Sequence, residues 1–393
     1  MAEYDVVIVG GGLVGSSLAC LLAKLDLRVA LLESRPIKAD AKPHYDDRVI
    51  ALSYSAKVIF EKMSVWPLLV DEATPIHHIH VSQKSAFGTA HLDREDLYAE
   101  SLGYVAPARA IGSALHQQLN QLSNITVYSP ATLKRLESSD VGVVAEVEVN
   151  GIVETVECAL LVAADGVNST VRTEMGWAAT EVYYHQHAMI CNVTLSEYHD
   201  NIAYERFSVA GPMAMLPLKD KQMACVWTVD ETELAQKLAL SDSEFMAELQ
   251  AQFGYRVGHV ELVGQRSHFP LKQTRVKHFA GDRVALIGNA AHAMHPVAGQ
   301  GFNLGLRDAD AIFTMMQGLQ NSGQVFTDNG LLQQYQLARQ KDHQWVMGAT
   351  HALIKIFALP GLPSQWLRSM ALLSFEAMPN IKNELTRYAM GMQ

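Results

Sequence analysis

Six residues near the start of the chain, Gly10-Gly11-Gly12-Leu13-Val14-Gly15, carry the first chemical signal. Their spacing is GxGxxG. They lie between Val6-Val7-Ile8-Val9, an apolar β-branched run suited to a buried parallel strand, and Ser16–Lys24, a small-residue stretch suited to a helix. In that setting Gly10 permits the tight turn, Gly12 lets the backbone approach a pyrophosphate, and Gly15 lets the helix lie close on the strand. The helix start offers free N–H groups and a positive dipole end to the phosphates. Glu33 closes a second buried strand, Arg28–Leu32, where a carboxylate can accept hydrogen bonds from a ribose. These residues predict a dinucleotide site without choosing between FAD and NAD.

Three later segments add to it. Asp165-Gly166 follows the apolar run Leu160–Ala163, with Asn168-Ser169 and Arg172 behind it. The string from Gly281 to His292 reads GDRVALIGNAAH. The string from His295 to Gly305 reads HPVAGQGFNLG. Together with the N-terminal fingerprint, these resemble the single-component FAD-dependent aromatic hydroxylases, and within them the ubiquinone-biosynthesis branch. Tyr204-Glu205-Arg206-Phe207 and Gly211–Leu218 match the same branch, and the resemblance spans essentially the whole chain.

The resemblance implies an α/β fold. A Rossmann-like FAD-binding domain of the p-hydroxybenzoate hydroxylase type would occupy 1–75, 99–180 and 275–335. A mixed-sheet substrate domain would occupy 76–98 and 181–274, with C-terminal helices over 336–393. It implies a monooxygenase: NAD(P)H reduces FAD, O₂ adds to give a C4a-hydroperoxyflavin, and one oxygen passes to the ring of a polyprenylated methoxyphenol. A sister enzyme acting at another ring position, or a flavin-dependent prenyl reductase of the same fold, would share these motifs. No second GxGxxG occurs, so NAD(P)H would bind transiently.

The residues carried over as cofactor contacts are Gly10, Gly12, Gly15, Glu33, Arg48, Arg109, Asp165, Asn289, Gly299, Gln300 and Gly301. The N–H groups of Gly299–Gly301, at a helix start, would stabilise the anionic reduced flavin. Asn289 stands where the wider family has Asp. Asn keeps a donor and an acceptor but loses the charge, and this exchange points to the subgroup acting on the 6-methoxyphenol. His295 and Pro296 adjoin the flavin loop, and His295 is a candidate base because imidazole titrates near neutrality. Arg206, on a strand expected to face the flavin, would orient the ring or the nicotinamide.

The remaining composition narrows the classes. The chain has 393 residues and a net charge of −10, with 49% hydrophobic residues, enough for a large core. The acidic balance and the absence of a Lys/Arg run argue against nucleic acid. Four scattered cysteines give no CxxC, which suits a reducing cytoplasm and excludes a disulfide reductase. No metal is expected: His77-His78-Ile79-His80 lacks a completing ligand set, and the chemistry needs none.

No transmembrane run or signal-type segment occurs. The expected location is the cytoplasm, at the periphery of the inner membrane, with a prenylated substrate drawn from the membrane or from a multi-enzyme ubiquinone complex. A homo-oligomer is compatible with the same features. From Trp345 to Phe375 only Lys355 and Arg368 are formally charged, and burial against the FAD domain explains this, with a break at Pro360-Gly361-Leu362-Pro363. Other expected elements are a hairpin at Asn150-Gly151, a separate strand at Leu160–Ala163, and helices over Asp242–Phe253 and Gly305–Gln317.

Overall fold

Three sheets organise the chain. The computed structural model describes residues 3–36, 43–84, 86–294, 299–323, 329–358, 366, 368–370, 374, 376 and 378–391. In the first sheet, Val284–Leu286, Ile152–Ala163, Tyr4–Val9, Val29–Leu32 and Ile125–Tyr128 lie side by side in parallel, in that order. Helices Leu13–Leu22, Ala108–Leu119 and Gln300–Ser322 pack together against it. The central strands are therefore apolar where they are covered, and Val6, Val7 and Ile8 are fully buried.

The sequence predicts two strands between Ile152 and Ala163; the structure has one of twelve residues. Its first half pairs antiparallel with Val143–Val149 across Asn150-Gly151, whose φ values of 51° and 83° suit a tight hairpin turn. Its second half runs parallel to Tyr4–Val9. Burial shifts accordingly, from exposed residues at the start to fully covered ones at Leu160–Ala163.

The second sheet is mixed and nine-stranded. Ser267–Val276, Ala179–Leu195, Gln222–Asp230, Gly211–Pro217, Ile202–Ser208 and His78–Gln83 are successive neighbours within it. One face is sealed by helix Asp242–Phe253, under which Met189, Cys191, Met213, Met215 and Cys225 are buried. That helix begins at a capping box. The Ser241 hydroxyl accepts the Glu244 N–H, and the Glu244 carboxylate accepts the Ser241 N–H. The opposite face meets a third, smaller sheet. There Ala203, Leu216 and Leu218 meet Ile76, Leu102 and Val105, around a small three-stranded sheet of Val49–Ser53, Thr74–Ile76 and Gly103–Pro107.

The helix predicted over Gly305–Gln317 runs from Gln300 to Ser322, capped by Gly299 in the left-handed conformation at φ 62°. Helix Asn329–Ala358 crosses both sheets. Leu332 and Tyr335 belong to the first core, whereas Phe357 stacks on Phe207 of the second sheet, with ring centroids 3.9 Å apart. This helix thus reaches both sheets, and the part of the apolar stretch that carries Phe357 packs on the second one. Pro360 to Pro363 lie outside the described residues. Among the described residues no helix is long and apolar enough to cross a membrane.

Candidate functional site

The GxGxxG turn leaves Tyr4–Val9 and enters helix Leu13–Leu22. Its three glycines answer different constraints. Gly10 has φ 104° and lies against the Ala164 backbone, so a side chain there is both strained and blocked. A methyl group on Gly15 would overlap the Gly10 carbonyl oxygen. Gly12 has ordinary backbone angles, and among the described residues no neighbouring atom lies within 4 Å of where its Cβ would stand. Gly10 and Gly15 therefore close the turn, while Gly12 faces open space. Glu33 sits beside it, accepting the Gly11 N–H at 2.9 Å and the Arg35 N–H at 2.8 Å.

Two more loops converge here. Ala164 is hydrogen-bonded to Val9, so Asp165-Gly166 emerges next to the glycine turn. Asp165 Oδ2 accepts the Val171 N–H at 3.2 Å, while Oδ1 is buried without a partner among the described residues. Burial pushes the Asp165 carboxyl up, against hydrogen bonds from Ser169 and Val171 that lower it. Arg172 donates to the Val167 carbonyl at 2.8 Å and the Ala290 carbonyl at 3.0 Å, fastening this loop to the turn Gly288–Ala290. Asn289, on that turn, is exposed. Gly305 brings the long helix against the same turn, where its Cβ would lie 3.0 Å from Gly288 Cα. Gly299 is wedged beside Ala51, and Gln300 and Gly301 begin the helix without a side-chain cap. Asn303 fixes this start by accepting the Ser53 N–H and donating to the Ala51 and Gly299 carbonyls. His295 and Pro296 lie outside the described residues.

A buried polar cluster, not predicted from the sequence, sits behind these loops. Asp308 accepts from Gly288 N–H at 3.1 Å, His292 Nε2 at 2.7 Å, Arg339 Nε at 2.7 Å and His343 Nε2 at 2.8 Å. Burial alone would raise the Asp308 carboxyl, but His343 and Arg339 outweigh it and hold it well below the usual range. Burial, reinforced by His343, pushes His292 down to about 4, so it is neutral. His292, Asp308 and His343 are spaced as metal ligands, yet Arg339 already supplies the cation. The His77–His80 run is likewise engaged: His78 bonds Asp93 at 2.8 Å, and Arg256 sits on His80.

Of the two arginines, Arg48 is exposed, over the Phe269 ring at 5.9 Å. Arg109 is paired with Asp47 at 2.8 Å and Glu72 at 3.3 Å, so its charge is answered within the protein and braces the loop carrying Arg48. Asn192, from the second sheet, donates to the Asp47 carbonyl at 3.1 Å.

The expectation that Arg206 faces the cofactor is not met. Arg206 pairs with Met213 on the face sealed by helix Asp242–Phe253, where its neighbour Tyr204 packs on Phe253. Burial and Arg256 both lower its pKa. Side chains alternate along a strand, so Glu205 takes the inward face instead. Adjacent strands align Val81, Glu205, Ala214, Val226 and Ile190 in one row across that face. All but Ala214 keep partial exposure in the middle of the sheet, whereas behind the central strands Met189, Cys191, Met213, Met215, Cys225 and Trp227 are buried. Glu205 has no hydrogen-bond or ion-pair partner among the described residues, and burial pushes it up to about 7.

Residues 3–349 match a family described as "FAD binding domain". The chain is 33% identical over 387 residues to "Ubiquinone hydroxylase UbiL" of Rhodospirillum rubrum, covering 98% of this chain and 89% of that one. It is 30% identical to "Ubiquinone hydroxylase UbiM" of Neisseria meningitidis, covering 98% and 84%. In fold it is similar to p-nitrophenol 4-monooxygenase PnpA of Pseudomonas putida, with TM-score 0.79, 18% identity and coverage of 97% and 96%. The chain belongs to the FAD-dependent aromatic hydroxylases of the ubiquinone-pathway branch.

The residues of this hydroxylase fit the flavin nucleotide. The space over Gly12, the orphaned Asp165 Oδ1, the exposed Asn289 and the uncapped start of the long helix are unmet demands that converge on one side of the first sheet. Gly12→Val should therefore fold with an unchanged circular dichroism spectrum and lose bound flavin. Gly15→Ala should itself reduce stability, by about 1–3 kcal/mol or more, because backbone must move. Equal stability of both apoproteins in urea would contradict this division.

Glu205 gives a pH-dependent prediction. A carboxyl that binds its proton more tightly when folded lowers stability as pH rises from its ordinary 4.5 through about 7. The full loss is about 3 kcal/mol above that window. Glu205→Gln should melt at a higher temperature than wild type at pH 8, with the gap closing near pH 4–5. A variant less stable at pH 8 would mean that the carboxylate is compensated.

Proposed function

We propose that this hydroxylase uses NAD(P)H and O₂ to hydroxylate the ring of a polyprenylated methoxyphenol, as enzymes of the 2-octaprenyl-6-methoxyphenol hydroxylase type do. What carries this reading is the partly exposed row of Val81, Glu205, Val226 and Ile190 across the second sheet, on the face that meets the Arg48 loop through Asn192 and Phe269 and offers a flat apolar ring a seat. The names of the ubiquinone hydroxylases it resembles support the same substrate class, and Asn289 supports the 6-methoxyphenol subgroup.

FAD, when bound, accepts a hydride from NAD(P)H and activates O₂. The chain's own part is binding and placement. Gly10, Gly12 and Gly15 with the first helix hold the pyrophosphate, and Glu33 holds the ribose. Arg48, braced by Arg109, closes over the cofactor. Asp165 and Asn289 hold its inner portion, and the N–H groups of Gly299, Gln300 and Gly301 offer positive charge to the ring system. Ala214, Val226 and Ile190 give the substrate ring a dry floor. Apolar contact is worth about 0.8 kcal/mol per buried CH₂, so a prenyl tail needs an apolar exit. The row ends near the stacked Phe207 and Phe357, and the exposed Phe87 and Trp366 pack edge to face nearby. That edge is where the protein would meet a membrane surface or a lipid-handling partner.

The reading is tested in cells lacking this protein, grown in air, by mass spectrometry of lipid extracts. The expected result is loss of ubiquinone with accumulation of a polyprenyl-methoxyphenol. An earlier or later intermediate would make it a sister hydroxylase. With purified enzyme, NAD(P)H, O₂ and hydroxylated product should be coupled one to one. NAD(P)H-driven saturation of the prenyl chain without O₂ uptake would make it a reductase.

A further inference from the structure

One feature of the substrate face has no part in holding the cofactor. Across the three central rows of that face Glu205 is the only ionisable side chain. Val81 and Ala214 flank it on the neighbouring strands. It is enclosed by protein yet keeps some accessible surface, as a group lining a cavity does. A buried carboxylate without a partner costs stability and holds nothing together. Such groups concentrate where chemistry requires them.

We propose that Glu205 is the catalytic base that takes the phenolic proton of the substrate; the proposal rests on the phenol-hydroxylating reading above. A ring lying on Ala214 and Val226 has its edge at Glu205, one strand away, at a spacing of about 4.8 Å. The phenol O–H bond breaks, and its electron pair stays on the phenolic oxygen. The proton passes to a Glu205 carboxylate oxygen, so the total charge of the pair is unchanged. The phenolate delocalises its charge onto the ortho and para carbons, and these are the positions that an electrophilic oxygen attacks.

The surroundings suit this exchange. Burial pushes Glu205 up to about 7, where a base is half-ionised at neutral pH. Among the described residues no charged group contributes to that shift. Arg368, on the C-terminal segment packed at this edge, is turned onto the Gln83 side chain, the Ile356 carbonyl and the Phe357 ring. His80, Arg206 and Arg256 lie on the opposite face of the sheet.

The test compares FAD-loaded wild type, Glu205→Gln and Glu205→Asp on a short-tailed prenyl methoxyphenol and on its ring-fluorinated, more acidic analogue. Glu205→Gln should hydroxylate the methoxyphenol roughly 10²-fold or more slowly. Its NAD(P)H oxidation should continue, with the electrons appearing as hydrogen peroxide. The fluorinated phenol, ionised to a greater extent at pH 8, should recover part of the rate that Glu205→Gln loses, and Glu205→Asp should retain part of it.

A second readout needs no turnover. Nitrophenol bound to wild type at slightly acidic pH should show the nitrophenolate absorbance band, and nitrophenol bound to Glu205→Gln should not. A full rate in Glu205→Gln, or an equal loss on both phenols, overturns the proposal. So does an identical nitrophenolate band in both proteins. If wild type ionises bound nitrophenol through Glu205 but oxygenates no phenol, the substrate reading fails and the proton acceptor stands.

Discussion

The carboxylate of Asp308 is the point on which the cofactor side of the molecule depends. It is fully buried, and a buried charge persists only when it is paired and hydrogen-bonded on every side. Its partners come from different segments. Gly288 and His292 belong to the late turn, and Arg339 and His343 to the C-terminal helix. Asp308 itself rides on the helix whose first turn is Gln300-Gly301. One side chain thus sets where the Asn289 turn stands relative to the helix start that would face a flavin. Glycines on either side of this ion cluster make the spacing tight: Gly305 against Gly288, and Gly15 against Gly10. A larger residue at any of these four places would move one loop relative to the others.

The glycine fingerprint was legible in the sequence because its demand is local. A turn that needs positive φ at Gly10 and no side chain at Gly15 states that need within six residues. The hairpin at Asn150-Gly151 and the helix Asp242–Phe253 were legible for the same reason: their turn residues and capping box lie next to the elements they end or begin. Asp308 was not. It follows the late glycine string closely, but its partners Arg339 and His343 lie 31 and 35 residues further on. Nothing in a helical spacing says that a histidine and an arginine will turn inward onto one carboxylate.

The exchange of Arg206 for Glu205 has a different cause. Adjacent strand residues point to opposite faces, and sequence gives that alternation without saying which face looks inward. Here both faces are covered. Phe207 on one side and Tyr204 on the other are both buried, so hydrophobicity does not break the tie. Register with Met213 and Met215 breaks it, and register is a property of the folded sheet. Arg206 was expected to face the flavin and orient the ring or the nicotinamide, yet it packs beside Arg256 and His80 on the helix side.

The two faces of that sheet are built to opposite specifications. Under helix Asp242–Phe253 the side chains are large, flexible and sealed: Met189, Met213, Met215 and Met223 with Phe245 and Phe253. Methionine fills such gaps readily, and a dense face can hold nine strands together on its own. The inner face carries smaller side chains, with Val81, Glu205, Val226 and Ile190 partly exposed in one row and Ala203, Leu216 and the Phe207–Phe357 stack packed beside it. An under-packed row of this kind forgoes roughly 25 cal/mol for each Å² of apolar surface left uncovered. It is tolerable because the sealed face does not share the loss. With the dense packing behind the sheet, a flat ring laid on the front would not have to rearrange the core. A carboxylate in that front row, raised by burial alone, can change its proton without disturbing the packing behind it.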